Sequence, residues 1–215
     1  DSWERLRTEP VDPNAFDGSD IPDAFVQVPP TITNKIEKIR YMTDPLPEDV
    51  TIAGPISATF WASLDSDDTN WFVTLKDLGP DDSDRTGRPG EGEIKDLPEK
   101  YLTKGMLRAS LRELDEEKST PSVPWHKLTK ESEKKVIPGE INEYNVEVMS
   151  VCHTFKEHHR ICVEISCLDL PSGVNCVADT EYIPYHICRN ATVVHKIYRD
   201  GKHPSHILLP VIPNE

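Results

Sequence analysis

Apolar residues in this chain recur at every second position in short runs, and each run is cut off by a turn signal. Ile56, Ala58, Phe60 and Ala62 share one parity, and Ile161, Val163, Ile165 and Cys167 do the same. A period of two places such side chains on one face of a pleated strand, with one side in a core. Trp71–Leu78 reads as a nearly continuous apolar strand. Ile36–Tyr41, Tyr101–Glu113, Glu140–Ser150, Ile187–Ile197 and His206–Ile212 are further candidates, rich in β-branched or aromatic residues. About eight strands, no strong amphipathic helix and no strand–helix alternation exclude a parallel α/β sheet. The expected class is all-β, a jelly-roll β-sandwich.

Punctuation comes from 19 prolines and 10 glycines. Residues 1–35 hold Pro10, Pro13, Pro22, Pro29 and Pro30 among acidic residues. Each proline removes a donor and fixes φ, so an extended lead-in is expected, wrapping a sandwich domain over residues 36–215. Gly54-Pro55 and Pro138-Gly139 read as turns. Two charged insertions, residues 79–100 and 115–135, should be solvated and mobile, with Trp125 as a residue that can pin the second.

The net charge of −14 argues against nucleic acid and against an anionic membrane surface as partners. No run of 18 apolar residues exists. The first residue is Asp1 and no apolar leader follows it, so a processed chain, an excised domain or a fragment is expected. None of the five cysteines forms a CxxC pair, and reduced, buried thiols are expected, with a Cys167–Cys176 bridge left open. Charge and cysteine usage fit a cytoplasmic protein slightly better than a secreted one.

Tyr41–Pro55 (YMTDPLPEDVTIAGP) resembles the entry to the C-terminal domain of the cocaine esterase/NonD hydrolases, relatives of the X-Pro dipeptidyl-peptidases. Ile56–Ser63 and Asn70–Asp77 continue the resemblance, and Gly105–Arg112 (GMLRASLR) is similar to the family's G-x-L-R-A-S-x-R strand. Glu113–Pro121, Pro138–Glu140, His159–Ile161 and Pro204–Ile212 follow in family order. Three positions depart from the pattern. His158 replaces a hairpin glycine, Asn70 an acidic residue and Leu111 a histidine.

The resemblance implies a galactose-binding-domain-like jelly roll that packs on an α/β-hydrolase domain, walls its substrate pocket and contributes to homo-oligomer contacts. It also implies that the serine, aspartate and histidine of the triad lie in that other domain. The residues agree, because no G-x-S-x-G elbow surrounds Ser57, Ser63, Ser110, Ser150 or Ser166. No catalytic, cofactor or metal residue is therefore assigned. The alternative is a free-standing carbohydrate- or protein-binding module descended from the same domain.

Candidate ligand or domain contacts remain. Trp61, Trp71 and Trp125 offer aromatic surface for a sugar, although Trp61 and Trp71 on strands read better as core or domain contacts. Arg108 and Arg112, four apart, are expected on one strand face, paired with acidic neighbours. His159 and Arg160 belong to the hairpin block, His159 bonding backbone. A metal site on His153, His158 and His159, completed by Glu157, is the competing reading of that turn. Asp65-Ser66-Asp67-Asp68 lacks the glycine and distal glutamate of a Ca²⁺ loop and is expected to be solvated.

Overall fold

The computed structural model describes residues 21–32, 35–79, 99–169 and 186–213. Among these residues ten strands follow in chain order: β1 (Asp23–Gln27), β2 (Lys38–Met42), β3 (Val50–Leu64), β4 (Asn70–Leu78), β5 (Glu99–Arg108), β6 (Asn142–Phe155), β7 (Arg160–Ser166), β8 (Val193–Tyr198), β9 (His206–Leu208) and β10 (Val211–Ile212). They pair antiparallel in the order β1-β8-β3-β6-β5-β4-β7-β2, with β9 and β10 also on β3. The all-β jelly roll expected from the alternation is the observed fold.

Long β3 organises one half of the sandwich. Along one edge it pairs β6, and along the other it pairs β8, β9 and β10 in succession. Ile56, Ala58, Phe60 and Ala62 all point inward and are buried. Phe60 meets the edge of Trp71 at 5.2 Å between ring centroids, and Tyr144 lies 5.3 Å from Trp71. Each large apolar side chain buried this way contributes about 1.5–3 kcal/mol.

Gly54-Pro55 is not a turn, contrary to the reading above. Strand β3 runs straight through it, with a register shift between Gly54 and Ile56. A bulge needs the same two properties as a turn: Gly54 takes φ +137°, and Pro55 needs no ladder donor. Pro210 packs against Gly54, and its carbonyl accepts from Ala53 N–H at 3.0 Å.

Two seams close the sandwich. At one, β5 and β6 meet at a single bridged pair, Gly105↔Val148. A Cβ at residue 105 would lie 2.1 Å from the Glu147 carbonyl oxygen, so only glycine permits this approach. At the other, side chains of β1 tie it to β2. Asp23 accepts from Tyr41 OH (2.9 Å) and from Arg199 Nε (2.8 Å). Gln27 donates to the Lys35 carbonyl (3.0 Å) and accepts from Glu37 N–H (2.8 Å). Burial and the Asp23 carboxylate push the Tyr41 phenol well above its ordinary range. Among the described residues the sheet thus begins at Asp23, inside the segment expected as a lead-in. Its proline-poor stretch Asp23–Gln27 forms an edge strand, with Phe25 in the core. Residues 1–20 and most of the first insertion, 80–98, lie outside the described residues.

The second insertion is solvated, as its charge requires, but it is a fixed cap rather than a free loop. Ser57 Oγ donates to the Pro121 carbonyl (2.6 Å), Lys134 N–H to Ser110 O (2.8 Å) and Val136 N–H to Asp67 O (2.9 Å). Trp125 pins it through its backbone, the carbonyl accepting from Asp115 N–H at 2.7 Å, while its indole stays exposed.

Candidate functional site

The bulky apolar side chains at the β5–β6 seam face solvent instead of the core. Inward positions on β5 are taken by Thr103, Gly105 and Leu107, so Met106 points out; on β6, Val146 and Val148 point in and Met149 points out. The second insertion adds Trp125 and Leu128. These four are 54% (Met106), 61% (Met149), 52% (Trp125) and 65% (Leu128) exposed, around a groove of about 930 Å³. That volume falls within the ~300–1,000 Å³ of ligand clefts.

One end of the groove is polar. Asp169, after β7, takes an ion pair from Lys104 and a 3.2 Å contact from His186 Nδ1. Asn70 Nδ2 donates to the His186 carbonyl at 2.9 Å, and the His186 ring lies 6.1 Å from buried Phe72. Asn70, a departure from the family pattern, therefore holds a backbone carbonyl that an acid would repel. Arg108 also borders the groove. Its Nε meets Asp68 at 2.7 Å, and the same buried carboxylate accepts from Ser110 N–H (2.9 Å), Ser110 Oγ (3.0 Å) and Thr69 N–H (3.0 Å).

The remaining candidates scatter. Arg112 does not share a strand face with Arg108, because β5 ends at Arg108 and Ala109–Leu111 form a 3-10 turn. Arg112 donates instead to the carbonyls of Ala109 (3.1 Å) and Lys134 (2.6 Å). Trp71 is wholly buried and is a core residue, not a ligand contact. Trp61 points outward from β3 into a separate groove. Arg160 Nη1 donates to the Thr43 carbonyl at 2.8 Å.

The histidines do not form a metal centre. His153 Nε2 and His159 Nδ1 each lie 2.8 Å from one oxygen of buried Asp77, so the carboxylate occupies both nitrogens. His159 thus binds a side chain, not the backbone expected for it. His158 points to solvent at the turn with φ 67°, so histidine holds the left-handed conformation of the family's glycine. Among the described residues no group of three His, Cys, Asp or Glu side chains could hold an ion.

Ser110 is buried with a carboxylate but no imidazole beside it, and offers no nucleophile–base pair. Cys152, Cys162, Cys167 and Cys188 are free thiols. Burial pushes Cys162 and Cys167 up to about 12 and Cys188 to about 11, which keeps them protonated. Cys176, the other half of the bridge left open above, lies outside the described residues.

Sequence reasoning missed Asp77 and Glu164, and Asp68, expected in a solvated loop, is buried. Glu164 sits on the outer face of β7, fully buried under Lys38 (3.1 Å), Lys76 (3.0 Å) and Arg40. Its place between Val163 and Ile165 in an apolar run was the available signal.

Residues 5–208 match the profile of the X-Pro dipeptidyl-peptidase C-terminal non-catalytic domain. The chain belongs to this family. It is 27% identical over 186 residues to the cocaine esterase of Rhodococcus sp. (strain MB1 Bresler), covering 84% of this chain and 26% of that protein. A crystal structure of a CocE/NonD family hydrolase from Staphylococcus aureus is 25% identical. It superposes with a TM-score of 0.63, covering 89% of this chain and 33% of that one. An aminopeptidase structure from a marine sediment archaeon (Thaumarchaeota) shares the fold at 18% identity and a TM-score of 0.59, over 89% and 33% of the two chains. The chain thus spans about a quarter of the curated relative and a third of each structure.

Proposed function

We propose that this domain serves as the accessory jelly roll of a serine hydrolase, docking on an α/β-hydrolase domain through the β5–β6 seam and walling its substrate pocket. The observation that carries the reading is the row of exposed Met106, Trp125, Leu128 and Met149 around one groove. Leaving side chains of this size in water forgoes about 1.5–3 kcal/mol each, which docking recovers. The polar end, with Lys104, Arg108, Asp169 and His186, supplies the hydrogen-bonding rim that an interdomain contact needs. The parent reaction, by resemblance to relatives named as esterases and hydrolases, is hydrolysis of an ester or of an X-Pro amide through a serine acyl-enzyme.

Methionine oxidation tests the docking face. In the isolated chain peroxide should convert Met106 and Met149 to sulfoxides quickly, followed by peptide mass spectrometry. In the native protein both should be protected, while Met42 on β2, half-buried, reacts alike in the two samples. Equal oxidation of Met106 and Met149 in both samples would remove the docking assignment.

A further inference from the structure

Trp61 floors a second groove, of about 410 Å³, on the opposite side of the 114–124 segment from the seam. Inward alternation of Ile56, Ala58, Phe60 and Ala62 forces Trp61 to the outer face of β3. There Glu143 of β6 lies directly opposite it. Two residues along, Thr59 is flanked by Asn145 of β6 and His206 of β9. The indole is half-buried.

The hydrogen bonds around it run in one direction. Thr59 Oγ1 donates to Asn145 Oδ1 at 2.8 Å, and Asn145 Nδ2 donates to Glu143 Oε1 at 2.9 Å. The relay ends on Glu143, whose second oxygen has no protein donor among the described residues. On the other side, His206 Nδ1 lies 2.8 Å from the Pro204 carbonyl. A carbonyl only accepts, so in the neutral ring Nδ1 carries the proton and Nε2 is left as an acceptor. Two positioned acceptors therefore flank one aromatic face.

Those acceptors stand on strands either side of β3, on the order of 10 Å apart at the backbone. A sugar ring carries hydroxyl donors around its whole rim and can engage both acceptors and the aromatic face at once. Glu143, without an ion-pair partner among the described residues, repels phosphate and acidic sugars. We infer that this groove is a subsite for a neutral saccharide. The Trp61 indole stacks on the C–H face of one ring, and Glu143 and His206 accept hydrogen bonds from its hydroxyls.

The test is an NMR titration of the 215-residue chain, reading the indole N–H of Trp61, with maltotriose and cellotriose as saccharide probes and ethylamine as the cation probe. Saturable shifts with a trisaccharide are expected at millimolar concentration. They should disappear in Trp61→Ala and weaken about tenfold in Glu143→Ala, an exposed site whose truncation leaves the core intact. Trp125→Ala, in the other groove, should bind normally. Three results would overturn the inference: no saturable shift with either trisaccharide, undiminished binding in Trp61→Ala, or saturation by ethylamine alone. None of these results bears on the docking face, which the oxidation experiment reads separately.

Discussion

Replacing Gly105 by alanine tests how the sandwich closes. The new Cβ would lie 2.1 Å from the Glu147 carbonyl oxygen, 2.9 Å from its carbonyl carbon and 3.0 Å from Val146 Cγ1. Close C–H···O contacts need about 3.3 Å, so β5 and β6 must part by about 1 Å. The obstacle is backbone on both sides, and no side chain can swing away to relieve it. Overpacking of this kind costs about 1–3 kcal/mol, occasionally more, and weakening the Gly105↔Val148 bridge adds about 1. Alanine returns about 0.4–1 kcal/mol by restricting the unfolded chain. The net loss should be about 2–3 kcal/mol. With a urea slope of about 3 kcal/mol/M, the midpoint should fall by about 1 M in a fluorescence-monitored titration. Gly201→Ala is the control, since nothing lies within 4 Å of its added Cβ and the midpoint should hold or rise by about 0.1–0.3 M. An unchanged midpoint for Gly105→Ala would refute the claim that this glycine closes the seam.

Two further predictions concern histidines. His158→Gly should stabilise the chain by about 0.5–1 kcal/mol, because relief of left-handed strain (~1–2 kcal/mol) exceeds the added unfolded-state entropy. A lower urea midpoint would show that the turn holds no such strain. His195, stacked on Phe25 at 4.5 Å, is lowered to about 4 by burial. The neutral ring is the folded form, so its contribution is complete above the unfolded value of ~6.5 and is lost as pH falls from there through 4. Between pH 8 and pH 5 it should cost about 2 kcal/mol of stability. His195→Phe should flatten that slope, and an equal slope in the variant would assign it to other groups.

Much of the architecture was legible in the sequence because alternation is a local property. The parity of Ile56, Ala58, Phe60 and Ala62 carried β3, while Trp61, read as a core or domain contact, has the other parity and faces out. What was not legible depends on partners distant in the chain. Gly54-Pro55 suits a turn and a bulge equally, and only Pro210 and the pairing with β6 decide between them. Asp68 read as part of a solvated loop and Asp77 drew no reading, since Arg108, Ser110, His153 and His159 reach them only across the folded sheet. The outward placement of Met106 and Met149 had no signal in the sequence. Their exposure follows from the Gly105 seam, which turns their side of the strands outward.

The account's central claim is that this is the non-catalytic part of a larger serine hydrolase. A fluorophosphonate probe tests it directly, applied to the purified 215-residue chain and to the native protein recovered from its source with an antibody against this domain. The account predicts no label on the 24.3 kDa chain and a labelled native polypeptide several times larger. Label on the 24.3 kDa chain itself, or a native protein of that size that takes none, would contradict it.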